Sequence, residues 1–453
     1  MVRPHLLVIS FPAQGHIMPL MEFSHNLVER GFRITFVNTE FIHKRVVAAP
    51  SNKGHHMDFI ELVSIPDGFE VGGNEFVDYV KMLETMLTKL PGHLEELIKR
   101  INQSSNGDDK ISCVIADGHM AWALEVAEKM SIRRAVVWPA SATLMALTLH
   151  IPNLIEDGII TSDGYPIKDQ MVQISPTIPD INTAYFSWFC MHVPVLKELM
   201  FKLLVHNNSS LKLADHFLCN SFYDLEPSAF SLIPNLKPIG PIFACSRLGH
   251  LWPEDLTCLS WLDQQQTGSV IYVSFGSGTI LDRKQVDELA LGFELCGKPF
   301  LWVVRQGLVP GEVTAVYPDG FEERVGSRGR MVSWAPQREV LAHPSVGCFL
   351  THCGWNSTIE AITHGVPLLC WPFAYDQFIN ERYICDVWKN GMGLELDENG
   401  YRSREEIKTK VVALFGDADI KASALGLKEA AVNNVNFGGN SLKNFEEFVQ
   451  AIK

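Results

Sequence analysis

A strand–turn–helix–strand pattern opens the chain and begins again near residue 269. Residues 5–11 are a short apolar run. Helical spacing follows at Met18, Met21, Leu27 and Val28, Gly31 stands where a helix C-cap belongs, and residues 32–37 are rich in β-branched and aromatic side chains. A further apolar run, 111–116, ends at Asp117 and leads into a helical pattern over 121–130, and 135–138 reads as a strand stopped by Pro139. In the second half, 269–275 precedes Gly276-Ser277-Gly278, a helix over 283–296 and a strand at 300–304. Then come strand, helix and strand at 345–350, 357–363 and 367–371, and a helix over 376–389. Short apolar strands alternating with amphipathic helices specify an α/β fold, a parallel sheet covered on both faces. Two such halves imply two domains, with ligands at the carboxyl ends of the strands.

The expected boundaries are 1–245 for the first domain, 246–256 for a linker and 257–435 for the second domain. A C-terminal helix over 436–453, apolar at 442, 445, 448, 449 and 452, is expected to pack back toward the first domain. Residues 150–245 are less regular, with Pro-rich turns and an aromatic clump at Tyr185, Phe186, Trp188 and Phe189.

Charge limits the partners. With 38 Lys and Arg against 52 Asp and Glu, the formal net charge is −14. Such a chain is a poor match for nucleic acid or an anionic membrane. Any phosphate it binds must be held by a local device such as a helix N-terminus. The ten cysteines are scattered with no C-x-x-C pair, as in a reduced cytoplasmic protein. No run of about 20 apolar residues is present to span a membrane, and the apolar run 6–11 is too short for a signal-peptide core.

Two places carry chemistry. His16 follows the first strand at the edge of a helix, where the dipole disfavours imidazolium. Asp117 also follows a strand end. If those strands are neighbours, a carboxylate can fix the imidazole tautomer while the other ring nitrogen takes a proton. On spacing alone, a surface His and an unrelated turn Asp fit as well. In the second half, His352-Cys353-Gly354-Trp355-Asn356-Ser357 lies where a strand turns into a helix, with N–H groups suited to an anion and Gly354 allowing close backbone approach to a ligand. Ser357 and Glu360 also read as a capping box. Trp334 either stacks a planar base or fills a core, and Asp376 and Gln377 either bind polyol hydroxyls or begin a helix. A nicotinamide dehydrogenase is disfavoured, because Leu281 stands where the third glycine of G-x-G-x-x-G belongs.

From Trp334 to Gln377 the residues resemble the donor-binding signature of plant secondary-metabolite glycosyltransferases, family 1 of the sugar-nucleotide-dependent transferases. The match reads Trp334-Ala335-Pro336-Gln337, His343-Pro344, Val346-Gly347, Thr351 through Ser357, Glu360, Gly365-Val366-Pro367, Pro372 and Asp376-Gln377. Gly15-His16 with Pro19, Asp117, and Ser274-Phe275-Gly276-Ser277 extend it. The resemblance implies the GT-B fold, two Rossmann-like parallel-sheet domains facing each other across a cleft. It implies that Trp334 stacks on uracil, Ala335 and Gln337 contact base and nucleoside, and Glu360 holds the ribose. His352, Asn356, Ser357 and Ser277 would hold the diphosphate, Gly354 would belong to the same donor site, and Trp355, Asp376 and Gln377 would face the sugar. Gln377 points to UDP-glucose as donor co-substrate.

The expected reaction is inverting transfer of glucose to a hydroxyl of a small lipophilic acceptor, with His16 as base, Asp117 as its support, and neither metal nor cofactor. Other UDP-sugars, or C-, N- or ester glucosides, are the alternative, and a non-enzymatic binder is disfavoured by the presence of His16 and Asp117. Candidate acceptor-pocket residues are Phe11, Met120, Trp138, Trp188, Phe189 and Met200, with Tyr375 reaching from the donor side. The expected oligomeric state is a monomer.

Overall fold

The strand β1 (His5–Ile9) is buried along its whole length, as a strand must be when helices cover both faces of its sheet. The structure, a computed structural model, describes residues 3–48, 59–68, 75–104, 109–191, 193–243, 252–311 and 317–453. It divides into two compact units, Met1–Trp252 with Asn433–Lys453, and Pro253–Val432. Most of the expected linker, 246–251, lies outside the described residues.

In the first unit β1 joins β2 (Arg33–Thr39), β3 (Ile60–Ile65), β4 (Ile111–Asp117) and β5 (Arg133–Trp138). A short antiparallel pair follows, β6 (Met171–Val172) with β7 (Ile181–Asn182), and then β8 (His216–Cys219) and β9 (Leu236–Pro238). The sheet runs β3-β2-β1-β4-β5-β8-β9, and every pairing in it is parallel. The second unit carries β10 (Val270–Ser274), β11 (Phe300–Val303), β12 (Gly329–Val332), β13 (Val346–Thr351), β14 (Leu368–Cys370) and β15 (Gly391–Gly393), in the order β12-β11-β10-β13-β14-β15, again all parallel. In each sheet the chain winds outward one way from the first strand and then the other. The strand order therefore reverses beside β1 and β4 in the first sheet and beside β10 and β13 in the second. Those switch points are where doubly wound sheets bind ligands.

The helix Asn440–Ile452 belongs to the first unit. Its Phe445 and Phe448 rings pack on Phe23 at 5.7 and 6.0 Å, and Asn444 and Ala451 bond Pro238 and Arg133. The middle region is more regular than its sequence suggests. It contains the 17-residue helix Pro194–Ser210, which buries Leu196, Met200, Phe201, Leu203, Leu204 and Asn207. The helix expected over 376–389 is an α-helix at Gln377–Arg382 that widens into a π-helical turn at Tyr383–Val387. Among the described residues no helix is long and apolar enough to cross a membrane.

Candidate active site

Strand β1 ends in a turn in which Ala13 N–H donates to Phe11 O, and the helix Gln14–Glu29 begins at once, placing His16 in its first turn. The neighbouring β4 is in register, Ile9 beside Ala116, so Asp117 projects from the same rim. His16 Nδ1 lies 2.7 Å from Asp117 Oδ2, and the carboxylate is fully buried while the imidazole is 20% exposed. Asp117 Oδ1 accepts from the His119 N–H at 2.8 Å.

Burial alone would push the Asp117 carboxyl upward. The pull of His16 and His119 outweighs it and holds the group well below the usual carboxylate range. An ionised carboxylate only accepts, so His16 Nδ1 carries the hydrogen and Nε2 keeps its lone pair. That is the arrangement of a general base with its support.

His119, which the sequence reading passed over, completes the cluster. Its ring stacks on Trp138 at 4.8 Å and 12° and meets His16 edge-on at 4.8 Å. Burial lowers the pKa of His119, and its contact with Asp117 only partly opposes this. Gly118 permits the turn, because a Cβ there would lie 2.3 Å from the Trp138 ring. Asn207, on the unforeseen helix, donates to His119 O at 2.9 Å and accepts from Trp122 N–H. His16, Asp117 and His119 each offer a ligand atom within 4.8 Å of the others. Two imidazoles and a carboxylate can hold a transition metal, but here the Asp117 oxygens already bind His16 and the His119 N–H.

Of the aromatic candidates, Phe11 lies 4.9 Å from the His16 ring, and Met120 and Trp138 are buried around the same turn. Trp188 sits apart, packed on Phe186 and Phe201 with its Nε1 donating to Gly164 O. Phe189 is covered by Tyr165 and Lys197, and Met200 is buried. Tyr375 is exposed, in the second unit, with a left-handed φ of 59°.

The second unit builds its site from the loops after β10 and β13. The helix Trp355–His364 is N-capped by Gly354, so its first N–H groups point along the axis out of its N-terminus. His352 is held between two glycines, since a Cβ on Gly276 or on Gly354 would lie 2.6 or 2.5 Å from its Nε2. Gly354 thus makes room for an imidazole, where the sequence suggested only room for a ligand. Burial, assisted by Arg305, lowers the His352 pKa to about 4, so the ring is neutral at physiological pH. Cys353 adopts a left-handed φ of 64°, and its carbonyl is held by Asn380 Nδ2 at 2.8 Å.

Ser357 is the third residue of the helix and not its cap, so no capping box forms. Instead Gln337 Nε2 donates to Ser357 Oγ at 3.0 Å and to Glu360 Oε2 at 2.8 Å, and Gln337 Oε1 accepts from the Tyr272 hydroxyl. Trp334 is half-buried just beyond β12, Ala335 is buried, and Ser277 and Asn356 are partly exposed. The Trp355 ring is buried near Trp388, leaving its main chain at the helix start. Gln377 Oε1 accepts from Phe373 and Ala374 N–H, and Asp376 Oδ2 accepts from Asn380.

Two Rossmann-like units, one with a His–Asp pair and the other with a glycine-bordered helix N-terminus at the matching position, define a GT-B glycosyltransferase. The profile of the family described as UDP-glucoronosyl and UDP-glucosyl transferase matches residues 5–429. The chain is 43% identical to UDP-glycosyltransferase 83A1 of Arabidopsis thaliana, covering 100% of this chain and 97% of that protein. It is 34% identical to a 7-deoxyloganetin glucosyltransferase of Gardenia jasminoides, covering 99% and 98%. The crystal structure of Os79 from O. sativa in complex with UDP superposes with a TM-score of 0.81 at 27% identity, over 99% of this chain and 100% of that one. Phytolacca americana UGT2 complexed with UDP-2fluoro-glucose and pterostilbene gives 0.81, also at 27%, over 100% and 99%. The chain belongs to the UDP-glycosyltransferase family, and it is an enzyme that uses a UDP-sugar donor.

Proposed function

We propose that the enzyme transfers glucose from UDP-glucose to a hydroxyl of a small lipophilic acceptor, with inversion, giving a β-glucoside. The observation that carries this reading is the 2.7 Å contact between His16 and the fully buried Asp117. His16 Nε2 takes the acceptor proton as the acceptor oxygen bonds to the anomeric carbon. The bond from that carbon to the diphosphate breaks, and its electron pair leaves with UDP. Asp117 stabilises the imidazolium that forms. Neutral His352, Ser277, Asn356, Ser357 and the helix N-terminus receive the developing charge on UDP.

Trp334 and Ala335 hold the uracil, Glu360 the ribose with Gln337 orienting it, and Asp376, Gln377 and the Trp355 main chain the sugar. Phe11, Met120 and Trp138 border the acceptor. The first domain takes the acceptor and the second the donor. The choice of glucose rests on Gln377 and on relatives named as glucosyltransferases. The scheme uses no metal, so EDTA should leave the turnover rate unchanged. The enzyme works as a cytoplasmic monomer.

Incubation with sugar-labelled UDP-glucose and a panel of hydroxylated phenols and terpenoids, with anomeric configuration read by NMR, tests the reading. A β-linked O-glucoside supports it. A C-, N- or ester-linked product corrects the acceptor chemistry. Absence of both transfer and slow UDP-glucose hydrolysis would sink it.

A further inference from the structure

Arg305 follows β11 and is 7% exposed. A guanidinium is charged at every accessible pH, and burying it is costly unless its donors are satisfied. Here they are satisfied by main-chain carbonyls. Nε donates to Gly276 O at 3.2 Å, one terminal nitrogen to Thr279 O, and the other to Gln306 O at 3.1 Å. The first two acceptors bracket the turn 276–279 after β10, which contains Ser277.

A trans peptide is planar, with its C=O and N–H pointing opposite ways. Turning the Gly276 and Thr279 carbonyls onto Arg305 therefore turns the Ser277 and Ile280 N–H groups to the opposite face of the loop. Gly276 has a left-handed φ of 69°, and its Cα side lies against His352. Arg305, the Gly276 peptide and the His352 imidazole are thus neighbours in one stack.

We propose that Arg305 is a positioning residue of the diphosphate site: its fork fixes the peptide planes of the 276–279 turn, so that their N–H groups serve the ligand, and its charge supplies a permanent positive field behind that loop. This rests on the reading that the loops after β10 and β13 hold the diphosphate. It also accounts for how a chain with a net charge of −14 favours an anion at one place.

The test is calorimetric titration of the full chain and of Arg305→Met and Arg305→Lys with UDP, UMP and uridine. Charge-assisted contacts are worth enough that Arg305→Met should bind UDP roughly tenfold more weakly, UMP less affected and uridine about unchanged. Arg305→Lys keeps the charge without the fork and should fall between. Removing the charge should also raise the His352 pKa, read by NMR, in Arg305→Met and not in Arg305→Lys. A wild-type chain that fails to bind UDP overturns the functional reading and this one with it. Wild-type binding of UDP with unchanged affinity in Arg305→Met, or an equal loss for uridine and UDP, overturns this one alone. Should Arg305→Met not fold, a wild-type UDP-to-uridine ratio in Arg305→Lys does the same.

Discussion

The two sheets share a strand order, yet their switch points carry opposite electrostatics. Beside β1 and β4, a buried carboxylate is kept ionised by two imidazoles. Beside β10 and β13, a part-buried imidazole is kept neutral between two glycines at a helix N-terminus. On the proposed function, the same topology makes a proton-handling site in one unit and an anion-holding site in the other. What differs is the residue at each strand end: Asp117 terminates β4, whereas His352 and Gly354 follow β13.

Mutating the first switch point should destroy chemistry and spare UDP binding. His16→Ala should lower kcat by about 10³-fold, within the range a general base supplies, with the UDP Kd unchanged. Loss of UDP affinity in that variant would contradict the division of labour. Asp117→Asn should cost about 10²-fold or more in kcat, because an amide no longer fixes the His16 tautomer or stabilises its charge. A wild-type kcat in that variant would mean that Asp117 only supports the fold.

Mutating the second should do the reverse. Gly354→Ala places a methyl 2.5 Å from His352 Nε2 and must displace the ring. Overpacking of this kind costs about 1–3 kcal/mol, which should appear as UDP binding weakened about tenfold. Binding at wild-type strength, by calorimetry, would show that the His352 position is immaterial to the donor.

The strands beside both switch points were legible in the sequence because each is a short, mostly apolar run buried at all but one position or throughout. β3 was not, since Glu61 and Ser64 interrupt it at a sheet edge. The helix Pro194–Ser210 was also missed: it is buried on several sides, so its apolar residues trace no single stripe. The stretch from Trp334 to Gln377 was readable as a dense local motif. His119 and Arg305 were not, because their roles come from tertiary neighbours, Trp138 and His16 for one and the 276–279 turn for the other. The Ser357–Glu360 spacing was readable as a cap, and the start of the helix at Trp355 gave both side chains to Gln337 instead.

A second contrast lies in two carboxylates, Asp117 buried and Glu381 partly so. Asp117 is pushed down by its partners, whereas burial raises Glu381 to about 7, with Asp386 adding to the rise and Arg402 and Arg382 opposing it. The signs differ in consequence. Asp117 stabilises the fold above its unfolded pKa and loses that contribution as pH falls through its lower folded value. Glu381 binds a proton in the folded state at a pH where the unfolded chain has released it. Stability therefore falls as pH rises from about 4.5 to about 7, and the loss is complete above that. Glu381→Gln removes this penalty. The expected gain is about 1–2 kcal/mol at pH 8, or a Tm higher by roughly 2–6 °C, and close to nothing at pH 5. Thermal melts at both pH values check this, and a gain of equal size at pH 5 would assign the effect to packing and not to ionisation. Glu381 stands one turn beyond Gln377 on the same helix, so kcat at pH 8 is the control: an unchanged value keeps the effect in the fold, and a fall would tie Glu381 to the donor site.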